Sequence, residues 1–324
     1  MTWIPLSGLL LAAAGFALTQ HAPLFVIAHR GASGYRPEHT AEAYNLAVQM
    51  GADAIEPDLV ITRDGVLIAR HENEIGGTTD VAERFPDRRT TKEIDGKPVT
   101  GWFAEDFTLA EIRTLRARER LAFRSHEYDG RFGVPTFDEV LDLAAAARRE
   151  TGRPIAVYPE TKHPTYFRRI GLPLEDVLLD RLKARGLVER ESPVLIQSFE
   201  RPSLEYLRLR TRVRLVQLTS SPADVTADRL AAIARYADGI GAEKTLIVPE
   251  GPNRRVQPPT HVVRDAHAAG LFVHAWTMRN EPLFLSPSYG GDPAAEVREF
   301  IAIGVDGVFS DFPDVAVRAA QATR

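Results

Sequence analysis

Eight short apolar runs recur along this chain, and each is followed by a stretch with helical character. They cover 24–29 (LFVIAH), 53–62 (DAIEPDLVIT), 154–160, 194–199, 213–218, 238–242, 271–276 and 306–311. Strands that are apolar almost throughout must be covered on both faces, as in a parallel sheet whose crossovers are helices. Eight strand–helix units point to a (β/α)8 TIM barrel, and 324 residues suit one such domain. An open, doubly wound sheet is the alternative, but no dinucleotide-type glycine fingerprint follows a strand.

The helices announce their ends. Thr40 stands where it can cap a helix that Gly51 closes, and Thr136 with Glu139 forms a capping box for a helix that stops at Gly152. Thr108 and Glu111 repeat the capping box. The rhythm breaks between Gly76 and Pro135, where no parallel strand is apparent. A structureless loop of that length is improbable in a compact domain, so 76–135 is read as an inserted cap after the second strand's hairpin. The arginines 113, 116, 118 and 120 lie among acids there and are expected on a solvated helix face.

Residues 1–22 stand apart. An apolar stretch from Leu9 to Leu18 ends at a polar break, and it is shorter than the roughly 20 residues a membrane-spanning helix needs. It suits the apolar core of a signal peptide, which would place residues 23–324 in the periplasm or outside the cell as one catalytic domain with no membrane span. No basic residue precedes Arg30, and an N-terminal helix of a cytosolic protein is the alternative. The net charge of −4 gives no reason to expect a nucleic acid or an anionic membrane as partner. Without a cysteine the chain has no disulfide, thiolate metal site or catalytic thiol.

The chemistry gathers at strand ends. Glu56 and Asp58 are two apart on one strand and share a face, where two acids are costly without a cation or hydrogen bonds. Asp64-Gly65 then signals a hairpin. With a two-residue turn Arg63 faces Val66, and His71 falls opposite Asp58. Glu160 and Lys162, again two apart, end the strand at 154–160. In a barrel the C-terminal strand ends carry the active site, and His29 and Arg30 end the first strand. Three carboxylates suit a hard divalent cation held by oxygens, Ca²⁺ or Mg²⁺. Arg30 and Lys162 beside it ask for an anion, most naturally a phosphate. His29 and His71 supply the two proton-transfer groups that phosphodiester cleavage requires. Gln197, Trp276 and Asp311 also lie at strand ends, and the first two are candidates for the substrate pocket.

The stretches HRGASGYRPEHT, EPDLVITRDGVLIARHE, YPETK, QSF, DGIGA, VHAWTMR and GVDGVFSDFPD resemble, in order, the motifs of glycerophosphodiester phosphodiesterases, from Val26 to Asp314. The PEHT form and the insertion are similar to the signal-peptide-bearing, periplasmic branch. The resemblance implies a TIM barrel, one divalent metal, usually Ca²⁺, and hydrolysis of deacylated phospholipids such as glycerophosphocholine to sn-glycerol 3-phosphate and an alcohol. By motif, Glu56, Asp58 and Glu160 match the metal ligands, His29 and His71 the acid–base pair, and Arg30 and Lys162 the phosphate contacts. Glu72 stands where the family usually has Asp, Ala242 where Pro is common, and Ala275-Trp276 where Pro-Tyr is typical of the branch. A lysophospholipase D and a non-catalytic glycerophosphodiester-binding protein are the alternatives.

Overall fold

The computed structural model describes residues 23–323; the expected signal segment, 1–22, lies outside them. The eight predicted runs are all strands. They comprise β1 (Phe25–His29), β2 (Ala54–Glu56) with β3 (Asp58–Ile61), β7 (Ala156–Val157) with β8 (Glu160–Thr161), β9 (Leu195–Ser198), β10 (Arg214–Thr219), β11 (Gly239–Glu243), β12 (Phe272–Met278) and β13 (Gly307–Ser310). Two runs are split in the same way. Pro57 separates β2 from β3, and Tyr158-Pro159 separates β7 from β8, because proline has no N–H for the ladder. Pairing continues through the proline carbonyls, which accept from Glu160 N and Gln197 N at 2.9 Å each. All neighbours around the ring are parallel, and β1 pairs with both β2 and β13, so the barrel closes.

Helices return the chain outside the ring, among them Ala41–Gln49, Phe137–Thr151, Leu174–Ala184 and Pro313–Ala322. Thr40 accepts from Ala43 N, and both capping boxes form. The barrel interior is filled by every second residue: Ile27, Ala54, Ala156, Tyr158, Leu195, Val216 and Phe309 form a core separate from the one beneath the helices. Glycines admit the larger neighbours. A Cβ on Gly239 would lie 2.3 Å from the Phe272 ring, and one on Gly241 2.4 Å from Leu218. His274 belongs to this packed interior. Its Nδ1 is 3.1 Å from the Tyr158 hydroxyl and its ring stacks with Phe25, and burial lowers its pKa to about 3.

Two expectations need correction. The hairpin of β3 with β4 (Leu67–Ala69) pairs Leu59 with Ala69 and Ile61 with Leu67. Its loop has three residues, Arg63 to Gly65, with Gly65 at φ +79° and Thr62 N donating to Val66 O. The register therefore shifts by one, Arg70 N donates to Asp58 O, and His71 lies beyond the ladder. The arginine run is not a helix face either, since the helix there is one turn, Leu109–Ile112. Arg120 instead turns inward to Glu38, with Nε 2.8 Å from Oε2.

The segment 76–135 carries a separate antiparallel pair, β5 (Thr90–Ile94) and β6 (Lys97–Gly101). Phe103 and Phe107 anchor it with no exposed surface, and Trp102 Nε1 donates to Phe85 O at 2.7 Å.

Candidate active site

The C-terminal ends of the ring strands surround a cavity of about 310 Å³. His29, Arg30, Glu56, His71, Glu160, Lys162, Gln197 and Trp276 all line it. Asp58 sits behind them, 1 % exposed, and completes a group with Glu56 and Glu160 whose carboxylate oxygens lie within 4.8 Å of one another. The structure thus brings together the candidate metal ligands, both histidines, the candidate phosphate contacts, Gln197 and Trp276; Asp311 lies behind His29.

Alternation explains the placement. Two residues beyond Ile27, Ala54, Tyr158 and Leu195, the same inward face presents His29, Glu56, Glu160 and Gln197. Asp58 continues the line past Pro57. Three buried acids repel one another. Burial and the neighbouring Asp58 push the Glu56 carboxyl well above the usual range. Burial likewise pushes Glu160 up to about 8, although Lys162 Nζ sits 3.0 Å from its Oε1. Asp58 goes the other way. Burial opposes its charge, but Lys162, His39 and Arg30 hold it well below the carboxylate range.

The acids are held from the side. Arg30 leaves β1 at φ +62°, so its own N–H donates to Glu56 Oε2 at 2.8 Å while Gln197 Nε2 donates to Oε1 at 2.9 Å. Its guanidinium lies 3.2 Å from Asp58 and 3.0 Å from Glu38. Asp58 Oδ1 is buried with no hydrogen-bond partner. That orphaned oxygen, the all-oxygen donor set and the crowded charge fit a hard divalent cation held by Glu56, Asp58 and Glu160.

Both imidazoles are anchored through Nδ1, which leaves Nε2 for the cavity. His29 Nδ1 is 2.6 Å from Asp311 Oδ1, and His71 Nδ1 is 3.0 Å from Glu72 Oε1. Burial, assisted by Arg30, lowers His29 to about 3; burial with Arg30 and Lys162 lowers His71 to about 4. Without a ligand both rings are therefore neutral at pH 7; His29 Nδ1–H donates to Asp311, His71 Nδ1 lies against Glu72, and Nε2 of each is left for the cavity.

Several partners were not foreseen. His39, fully buried, bonds Asp58 Oδ2 through Nε2 at 2.9 Å and the Tyr44 hydroxyl through Nδ1 at 2.8 Å. Its place in the loop after β1, at the catalytic end of a barrel, was the available signal. Asp311 also accepts from Arg279 Nε at 2.8 Å and from Arg124 Nη2 at 2.6 Å. Arg124 comes from the 76–135 segment, where nothing in the sequence sets it apart. Glu72 continues to His163 Nε2 at 2.8 Å, and His163 Nδ1 reaches Asp95, in the β5–β6 turn, at 2.7 Å. Bonds from His163 and His71 outweigh burial and keep the Glu72 carboxyl well below its usual range.

A parallel barrel with an acidic group, two neutral imidazoles and two fixed cations at its catalytic end has the form of a phosphoryl-processing enzyme. The sequence pattern of the glycerophosphoryl diester phosphodiesterase family matches residues 29–315, and the chain belongs to this family of phosphoric diester hydrolases. It is 39 % identical over 313 residues to glycerophosphodiester phosphodiesterase GDPD6 of Arabidopsis thaliana, covering 88 % of this chain and 83 % of that one. It is 31 % identical over 302 residues to glycerophosphodiester phosphodiesterase of Bacillus subtilis, covering 90 % and 85 %. A phosphodiesterase of Oleispira antarctica, solved with the product sn-glycerol-3-phosphate, superposes with a TM-score of 0.66 at 20 % identity, over 92 % of this chain and 97 % of that one.

Proposed function

We propose that this enzyme hydrolyses glycerophosphodiesters, the deacylated phospholipids, to sn-glycerol 3-phosphate and an alcohol, with a divalent cation as cofactor and His29 and His71 as its acid–base pair. The observation that carries this reading is the convergence of Glu56, Asp58 and Glu160 with two Nε2-presenting imidazoles in one cavity. The product complex of the Oleispira phosphodiesterase agrees with it.

Arg30 and Lys162 face the cavity as fixed positive charges and orient the phosphate. One imidazole accepts the proton of the glycerol hydroxyl adjacent to the phosphate as that oxygen attacks phosphorus. The other takes up a proton at Nε2 as the anionic diester binds beside it and delivers that proton to the departing alkoxide; water then opens the cyclic phosphodiester with the roles reversed. Glu56, Asp58 and Glu160 would hold the cation, which offsets negative charge on the phosphate and attacking oxygen. A site built from three protein carboxylates suits Ca²⁺ better than Mg²⁺, which keeps several waters and takes one or two carboxylates. A crystal structure with ligand distances of about 2.3–2.6 Å supports Ca²⁺, and distances of about 2.0–2.1 Å overturn that choice.

The direct test is release of glycerol 3-phosphate from glycerophosphocholine with and without EDTA. Activity abolished by EDTA and restored by Ca²⁺ is expected; full activity in EDTA removes the role of the three acids. We place the enzyme in the periplasm or outside the cell, and read 76–135 as a cap on the barrel. N-terminal sequencing of the native protein should begin near residue 23, and a start at Met1 contradicts the export. A second reading, lysophospholipase D, gains support from exposed apolar side chains at the mouth: Phe199 is 46 % exposed, and Phe123, 51 % exposed, packs on Phe284. Faster turnover of lysophosphatidylcholine than of glycerophosphocholine would favour it.

A further inference from the structure

The cavity has two unlike halves. On the β1, β2–β3, β7–β8 and β9 side lie the three acids, both imidazoles, Arg30 and Lys162. From β10, β11 and β12 come Leu218, Trp276, the cations Lys244 and Arg279 and one acid, Glu243, and Phe199 reaches across from the end of β9 to the Trp276 ring. Glu243 ends β11 and is the register partner of Trp276 on β12, so both side chains project from the same face of the sheet. Trp276 Nε1 donates to Gly241 O at 2.9 Å, which fixes the indole, and the Phe199 ring meets it edge-on at 5.8 Å.

The charges of this half do not cancel. Lys244 is bound to Glu296, Nζ to Oε1 at 2.6 Å, and also donates to Phe284 O at 2.9 Å. Arg279 is bound to Asp311 and stacks on the Phe284 ring. Among the described residues the Glu243 carboxylate has no hydrogen-bond or ion-pair partner, yet it lines the cavity. An indole and a phenyl ring beside an uncompensated carboxylate match an organic cation. The rings attract it through their π-faces and cover its methyl or methylene groups, and the carboxylate balances its charge.

We propose that this half of the cavity is a specificity site for the leaving alcohol and selects diesters whose alcohol is a cation, a quaternary or primary ammonium such as choline or ethanolamine. The inference rests on the hydrolytic reading above, since it assigns the second substituent of the phosphodiester. Glu243 and Trp276 act on choice of substrate; the proton transfers stay with His29 and His71. An alcohol without charge leaves Glu243 unbalanced, and an anionic one meets it with repulsion.

The test is a comparison of kcat/KM for glycerophosphocholine and for glycerophosphoglycerol, whose alcohol is neutral, in the wild-type enzyme and in Glu243→Gln. The wild type is expected to prefer glycerophosphocholine about tenfold, and Glu243→Gln to bring the ratio near one, chiefly through KM. Glu243→Asp should restore part of the preference, which a purely structural role would not predict. A wild-type ratio near one, or a ratio unchanged in Glu243→Gln, overturns the specificity site while leaving the hydrolytic reading standing. Inactivity toward both diesters would instead sink the hydrolytic reading. Calorimetric binding of the same two compounds then decides this one, with an equal affinity for both as the overturning result.

Discussion

The lower and upper barrel interiors are made by the same strands, two residues apart, and they do opposite things. Below, Ile27, Ala54, Leu195 and Val216 pack as an apolar plug. One pleat repeat higher, about 6.6 Å along each strand, stand His29, Glu56, Gln197 and Leu218. Burial is nearly as complete in both layers: Leu195 is 2 % exposed and Glu56 1 %. The lower layer gains from leaving water. The upper layer loses hydration and survives because its charges face one another. Stability and chemistry are thus divided by layer.

That division can be broken from the top first. His29→Ala or His71→Ala should lower kcat by about 10² to 10⁴-fold with the folded state intact. Near-normal turnover with the melting temperature unchanged would remove the imidazole concerned from the proton transfers. From below, Leu195→Ala should cost about 2–5 kcal/mol of stability in urea unfolding, with kcat of the folded enzyme within a few-fold of the wild type. A large loss of kcat in fully folded protein would show that the layers are coupled.

The smallest effect is expected at the edge of the upper layer. His163 reaches His71 only through Glu72, so His163→Ala should reduce kcat by about tenfold with little change in KM; a change confined to KM argues against a positioning role. Burial pulls the His163 pKa down, but its bonds to Glu72 and Asp95 outweigh that and hold it above the ordinary 6.5. A histidine raised on folding contributes most below its unfolded value, and the contribution fades as pH rises through the folded value. The stability gap between wild type and His163→Ala should therefore shrink on going from pH 5.5 to pH 9, and a constant gap would contradict the charge-assisted tie.

The ring strands and the three acids were legible because parallel-sheet alternation fixes which residues point inward. His71 was legible as a participant but not by the route inferred. Asp64-Gly65 serves two-residue and three-residue turns alike, and Gly65 at positive φ belongs here to the longer one. His71 reaches the cavity because the chain leaves the ladder after Ala69, so its position is set by a loop that strand phase does not govern. His39 and Glu38 lay in a quoted motif, yet no periodicity assigns partners to loop residues. The Arg124–Asp311 ion pair joins positions 187 residues apart, which neither spacing nor local pattern encodes.

One backbone amide carries an experimental opportunity. The N–H of Arg30 is bound by the side chain of Glu56, outside the sheet ladder that holds the amides before it. Its proton should therefore respond to what the acids bind. In an isotope-labelled sample, the Arg30 amide resonance and its deuterium exchange would register cation loading directly, at a position that itself supplies no ligand atom.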